Sequence, residues 1–325
     1  MKVLTLIQAV TEAIDTKLSD DPNVLVFGED VGVEGGVFRA TTGLQQKYGE
    51  KRVFDTPLAE SGIIGSAVGM CVAGLRPVVE IQFSGFLYPG FNQLLAHAAR
   101  MRNRTRGKYE TPMVIRMPYG GDIRALEHHS ESMEALLGHI PGIKVVIPST
   151  PYDAKGLLIS AIESNDTVVF MEPKRIYRAV KQEVPEEKYT IPIGKAKIVQ
   201  EGKDITIVTY GALVREVQRA VALAKDKGWS IEVIDLRTIY PVDRETIANS
   251  LKKTGRLLFV NEGPMTFGVG AEIMAIANEE AFYSLEAPPH RLGGFDTIAP
   301  LPQGEHHYFF KPDRILHEIE KVMSY

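Results

Sequence analysis

The sequence has a single cysteine, Cys71, in 325 residues. That excludes an intrachain disulfide and any multi-thiolate metal site, and it fits a reducing compartment. Long apolar runs are also missing. The best candidate for a membrane span, Gly62 to Leu75, is too short to cross a bilayer. Cys71 sits inside that run, where a buried, unreactive thiol is expected. The first fifteen residues place Leu4, Ile7, Val10 and Ile14 in an amphipathic pattern but lack the basic start and apolar block of a signal peptide. The expected location is the cytoplasm, or the mitochondrial matrix after processing. Excess charge of one sign is absent too. A formal net charge of -4 gives no electrostatic reason to expect nucleic acid or a membrane as partner. The one basic cluster is Arg100, Arg102, Arg104, Arg106 and Lys108. Its every-second-residue spacing does not share a helix face, and no aromatics interleave for base stacking. Ion pairs at a subunit interface are the expectation for it.

What is present is an ordinary globular composition, with 44% hydrophobic and 24% charged residues. A chain of this length usually forms two domains. Short β-branched runs at Val24–Phe27, Pro77–Ile81, Met113–Arg116, Ile143–Ile147 and Val168–Phe170 read as strands buried on both faces. Between them Leu58–Leu75, Gly90–Arg102 and Asp153–Glu163 read as helices. The rhythm stops at the charged stretch Tyr177–Thr190 and resumes with strands at Ile205–Thr209, Ile231–Leu236 and Leu257–Val260, and helices at Val214–Lys225 and Asp313–Val322. Such alternation predicts an α/β chain of two doubly wound domains, 1–185 and 186–325.

Open parallel sheets bind ligands beyond the carboxyl ends of their strands. Three such places hold unusual residues. Phe54–Glu60 leads into a helix that begins at Glu60 and carries Ser61, Gly65, Gly69 and Ala73 along one face. Glu60 at a helix amino terminus is favoured by the helix dipole alone. Glycines inside a helix cost roughly 1 kcal/mol each relative to alanine. Their presence therefore asks for a compensating close contact of the kind tightly packed helices make, within the chain or between subunits. The second place is Gln82–Phe86, whose plain reading is a core aromatic at a strand end. The third is Glu127–Ser132, where adjacent His128 and His129 lack a third ligand at metal-site spacing and fit a surface loop.

These segments, with Gly28–Gly32, Gly35–Phe38, Glu80–Phe83, Gly142–Val146 and Ser149–Ala154, resemble the beta subunit of the pyruvate and branched-chain 2-oxo acid dehydrogenases along the whole chain. The resemblance implies a transketolase-like pyrimidine-binding domain followed by a transketolase C-terminal-like domain. It implies thiamine diphosphate as cofactor, with Glu60 bonding a ring nitrogen of its aminopyrimidine so that the imino tautomer forms. Leu58, Gln82 and Phe86 are implied to line the same pocket. The His-Ser-x-Ser pattern puts the family's active-site histidine on His129, where it orients substrate and serves proton transfer during acyl transfer to lipoamide. Thiamine itself is the electron sink.

The Gly-Asp-Gly segment and Asn pair that hold the cofactor's Mg²⁺ are missing; the chain has Gly121-Asp122-Ile123 and no Asn-Asn. Mg²⁺ and the diphosphate are thus assigned to an alpha subunit in a heterotetramer of two alpha and two beta chains. The resemblance also implies a K⁺ site at Met113, Ala161, Ile162, Ser164 and Asp166, with Ser164 where relatives often carry Asp. It further implies a dihydrolipoyl acyltransferase core and its lipoyl domain as partners, with Glu305 and the Tyr325 carboxylate as candidate contacts. Gly268-Val269-Gly270 lacks the rest of a dinucleotide fingerprint, so a nicotinamide dehydrogenase is disfavoured. Met171–Arg178 looks closer to branched-chain members, making 2-oxoisovalerate the expected substrate. Pyruvate and acetoin dehydrogenase beta subunits are the alternatives, and a non-catalytic scaffold is the reading from another class.

Overall fold

In the computed structural model, which describes residues 1–325, the chain divides into two units. The first comprises Met1–Tyr119 and Leu136–Ile193, and the second Gly120–Ala135 and Gly194–Tyr325. The charged stretch Tyr177–Thr190, where the alternation stops, is part of the first unit. Residues Lys181–Val184 pair antiparallel with Lys2–Thr5, and Tyr189 stacks on Tyr152 with ring centroids 4.6 Å apart. Gly120–Ala135, inside the expected first domain, packs with the second compact unit. Its backbone is held there by carboxylates far along the chain, with Gly121 N donating to Glu262 and Arg124 N to Glu305. A segment anchored by such distant partners leaves no periodic signal.

The first unit's strands are β1 (Lys2–Thr5), β2 (Val24–Gly28), β3 (Val53–Asp55), β4 (Arg76–Glu80), β5 (Val114–Tyr119), β6 (Ile143–Val146), β7 (Thr167–Pro173) and β8 (Lys181–Val184). Strands β6-β7-β5-β4-β2-β3 lie side by side and all parallel. Every residue of β2, β5 and β7 is buried. A parallel sheet covered on both faces demands this, and it is why these strands read as continuous apolar runs. Helices Leu6–Asp20 and Pro151–Glu163 pack together on one another. Their caps are local. Thr5 accepts from Gln8 N while Gln8 reaches back to Thr5 N, and Thr150 accepts from Asp153 N beside Pro151 at the first turn. Ion pairs Lys17–Glu163 at 2.8 Å and Lys155–Glu12 at 3.3 Å tie the two helices.

The second unit contains β9 (Lys197–Gln200), β10 (Ile205–Thr209), β11 (Ile231–Asp235), β12 (Thr238–Tyr240), β13 (Leu257–Pro264) and β14 (His290–Gly294). Its sheet runs β14-β13-β10-β11-β9, parallel except for β9. Ile207, Val233, Leu258 and Val260 of that sheet meet Val217 of helix Leu213–Leu223 and Ile315, Ile319 and Val322 of helix Pro312–Met323 in one core. Helices Arg244–Thr254 and Val269–Ala281 complete the unit. No helix of the chain is long and apolar enough to cross a membrane.

Candidate active site

The adjacency of β4, β2 and β3 decides what meets at their carboxyl ends. Beyond β2 come Glu29 and Asp30, beyond β3 come Thr56–Glu60, and beyond β4 come Gln82–Phe86. Asp55, the last residue of β3, accepts from Gly32 N at 2.6 Å and Val33 N at 3.2 Å, which pins the loop leaving β2 to the strand beside it. That loop turns through Asp30 at φ 57°, Gly35 at 78° and Gly36 at 79°. Gly36 N donates to Asp30 O at 2.7 Å, closing the turn. Gln82 Nε2 donates to Asp30 Oδ2 at 3.2 Å, so the ends of β2 and β4 are joined as well.

Glu60 opens helix Glu60–Val72, and Ala59 at the cap offers no side chain to compete for its first turn. The Glu60 side chain is half-buried, and no group of the chain hydrogen-bonds its carboxylate. Gly90 allows the segment Ser84–Gly90 to lie against the helix start, since a Cβ there would fall 2.7 Å from Ile64 and 2.9 Å from Glu60 O. That contact sets the position of half-buried Phe86, which meets Phe83 edge-on at 5.5 Å. Leu58 is exposed beside them, as are Ser61, Gly69 and Ala73 of the small-residue face. Burial pushes the Glu29 carboxyl up, and Asp30 and Glu60 add to the shift, so three acidic groups share this end of the sheet. Glu29 had no role in the sequence reading; its position directly after a buried strand was the available signal.

In the second unit His129 lies in a turn, Glu127–His129. Its N–H donates to Leu126 O at 3.0 Å, which leaves the His128 ring exposed and the His129 ring half-buried. Ser130, Glu131 and Ser132 continue from it into the wall of a cavity of about 530 Å³, which also takes in Glu262, Asp296, Tyr308 and Phe309. Burial pushes the Glu131 carboxyl up, opposed by His128. Just behind, buried Glu134 accepts from Tyr210 Oη at 2.8 Å, and its carboxyl is pushed up to about 7 by burial, with Glu262 contributing. Glu305 is buried and holds Arg124 N at 2.7 Å, so it is not an exposed docking contact. Tyr325 is exposed. Asp122 is paired with Lys311 at 3.1 Å.

The turn expected to bind K⁺ is already furnished with the chain's own cations. Arg76 Nη1 donates to the carbonyls of Ile162 at 3.1 Å and Ser164 at 3.0 Å. Ala161 O accepts from Ser164 N, and Met113 O from Val168 N. Asp166 lies between Arg102 at 2.8 Å and Lys144 at 3.0 Å. The Ile162 and Ser164 carbonyls and the Asp166 carboxylate, three of the five expected ligands, are held by basic side chains and do not fit a further positive ion. Arg102 also pairs with Glu110, while Arg100 and Arg104 donate to carbonyls of Leu95 and Ala96. These three members of the basic cluster make contacts within the first unit.

Comparison with known proteins finds two families in turn along the chain. The family described as transketolase, pyrimidine binding domain, matches residues 2–180, and transketolase, C-terminal domain, matches residues 194–315. The chain is 59% identical to "Pyruvate dehydrogenase E1 component subunit beta" of Acholeplasma laidlawii over 99% of this chain and 98% of that protein. It is 51% identical to the protein of the same name from Bacillus subtilis (strain 168), over the full length of both. Among solved structures, a "Split gene transketolase, inactive beta4 tetramer" superposes with a TM-score of 0.81 at 19% identity, covering 99% of each chain, which concerns the fold alone.

Proposed function

The chain belongs to the beta-subunit family of the first component of 2-oxo acid dehydrogenases, within the transketolase-like proteins, and from that membership we propose that its substrate is pyruvate. Members of this family are oxidoreductase subunits that work with an alpha chain and with thiamine diphosphate. The branched-chain expectation rested on Met171–Arg178. Met171, Glu172 and Pro173 are buried residues of β7, so packing in the sheet accounts for these three. The near-full-length relatives at 59% and 51% identity carry the pyruvate name.

The observation that carries the catalytic reading is the convergence of Glu60, Gln82 and Phe86 at one sheet end, with the Glu60 carboxylate unengaged by its own chain. A carboxyl that no group of its own chain engages fits a ring nitrogen of an aminopyrimidine, and Phe86 offers a ring to lie against it. When bound, thiamine diphosphate supplies the electron sink for decarboxylation. Glu60 holds the proton at its carboxylate that keeps the reactive tautomer accessible. Gln82 fixes the Asp30 side of the pocket, and Leu58 supplies apolar cover. His129 is assigned proton transfer during delivery of the acyl group to lipoamide. The diphosphate and its Mg²⁺ are assigned to the alpha chain, in a heterotetramer that delivers to an acyltransferase core.

The test is co-expression with the alpha chain. Release of carbon dioxide that depends on thiamine diphosphate should appear with both chains together and with neither alone. Pyruvate should exceed 3-methyl-2-oxobutanoate as substrate, and Glu60→Gln should lose about 100-fold or more. Equal turnover by the Glu60→Gln enzyme would refute the role of Glu60. Preference for the branched substrate would refute pyruvate, and inactivity of a properly assembled complex would favour a scaffold.

A further inference from the structure

Arg116 is the bulkiest fully buried side chain of the protein, in the middle of β5 at the heart of the first unit's sheet. Its Nε and Nη2 donate to the two oxygens of Glu172 on β7, at 2.7 and 3.0 Å. Its Nη1 donates to Glu80 Oε2 on β4 at 2.8 Å. Tyr177 Oη completes the set by donating to Glu172 Oε2 at 2.6 Å. Burial opposes the guanidinium charge, yet the two carboxylates outweigh it and raise the Arg116 pKa. Burial drives the Glu80 carboxyl up in turn, against the pull of Arg116.

Such a buried ionic set is a poor stability device, because well-packed apolar residues of similar volume do as well or better. Its outward contacts suggest another use. Glu80 Oε1 lies under Gly36, where a Cβ would stand 2.8 Å from it. The Tyr177 ring lies against Phe38 at 5.2 Å. Both ends of the network therefore touch the loop that follows β2, at two points. From Phe38 the aromatic contacts run on to Phe83 at 5.5 Å and from Phe83 to Phe86 at 5.5 Å. Gln82, two residues beyond Glu80, ties back to Asp30 at the other end of the loop.

We propose that Glu80, Arg116, Glu172 and Tyr177 are positioning residues for the pyrimidine pocket, locking the loop Asp30–Phe38 and the segment Gln82–Phe86 into one frame before the cofactor arrives. None of the four is assigned a contact with the cofactor. The planar fork of Arg116 sets the distance between β4 and β7, which a lysine's point charge does not reproduce. This inference rests on the function proposed above.

The experiment uses the assembled complex with wild-type alpha chain. Arg116→Lys and Tyr177→Phe are compared with wild type for KM of thiamine diphosphate, for kcat at saturating cofactor, and for melting temperature. The expected result is a KM raised about tenfold or more, with kcat far less affected. Gly36→Ala, which crowds Glu80 Oε1 and strains the loop at its positive φ, should give the same split. An unchanged KM in all three variants, with only the melting temperature lowered, overturns the inference and leaves the network merely structural. Should Arg116→Lys not assemble, Tyr177→Phe decides, since it leaves both Arg116 ion pairs in place. Glu60→Gln is the control for the underlying reading. Retained activity there means that reading has failed, whereas its loss beside an unmoved KM in the network variants means only the positioning role has failed.

Discussion

Tyr210 donates its phenolic hydrogen to Glu134 Oε1 at 2.8 Å, and both residues are buried in the second unit. The other carboxyl oxygen, Oε2, is buried without a hydrogen-bond partner, which suits a protonated acid better than a carboxylate. Burial, aided by Glu262, lifts the Glu134 carboxyl from 4.5 to about 7 in the folded chain. Because the folded form keeps this proton to higher pH than the unfolded form, stability attached to it is complete below the unfolded value. It is lost as pH rises through about 7. The contribution is on the order of 3 kcal/mol. Glu134→Gln keeps the acceptor for Tyr210 and removes the titration. The variant should match wild type in acid and exceed it above neutrality, in urea-unfolding midpoints followed across that range. Parallel pH curves for the two proteins would show that Glu134 does not carry the slope.

Cys71 gives a second check on burial. It lies on the core side of helix Glu60–Val72, and burial pushes its thiol up to about 12, against a weak pull from Arg76. At neutral pH almost no thiolate exists to attack a disulfide reagent. Titration of the native protein with a chromogenic disulfide should therefore show no rapid thiol. One equivalent should appear on unfolding in denaturant, and a fast stoichiometric reaction of the native chain would contradict the placement.

How much of this was readable beforehand varies with the range of the interactions involved. Strand Ile205–Thr209 was placed to the residue because a strand buried on both faces writes its own apolar run. The stretch expected as one helix, Gly90–Arg102, is helical from Phe91 but irregular, a turn Phe91–Gln93, a π-helical turn Leu94–Ala98 and a turn Met101–Arg104 following the tight turn Ser84–Gly90. Local propensity cannot anticipate that break, because the packing of Gly90 on the Glu60 helix governs it. Glu60 was legible for the opposite reason, since a helix start announces itself over a few residues. The Arg116–Glu172 pair joins residues 56 apart with no motif between them, and only the parallel register of β5 and β7 makes them neighbours.

The turn at residues 162–166 yields a prediction about ions. With Arg76 supplying positive charge to the carbonyls of Ile162 and Ser164, the melting temperature of the assembled complex should be the same in potassium and sodium chloride at equal ionic strength. Arg76→Ala empties two carbonyls and strips Asn165 Oδ1 of its 2.6 Å partner. Unsatisfied acceptors of this kind cost about 1–3 kcal/mol each where buried, so the variant should melt lower. The vacated carbonyls are also the kind of oxygen ligand a monovalent cation takes, so part of the loss should return with potassium and not with the larger tetramethylammonium. A marked potassium requirement in the wild-type complex would show that the arginine does not fill the place of the ion.

His129 separates two halves of the proposed reaction. If its part is proton transfer to or from the lipoyl acceptor, decarboxylation itself does not require it. General acid–base assistance of this sort is worth about 10²–10⁴ in rate. His129→Ala should therefore lose activity in that range when the acyl group is passed to a lipoyl domain. With a small artificial oxidant that takes electrons without a lipoyl thiol, the loss should be much smaller. His128→Ala serves as the companion, because His128 is exposed while the His129 ring is half-buried at the head of the Ser130–Ser132 segment. It should resemble wild type in both assays. Equal losses in the two assays would move His129 into the decarboxylation step, and a stronger effect at His128 would transfer the assignment to the neighbouring ring.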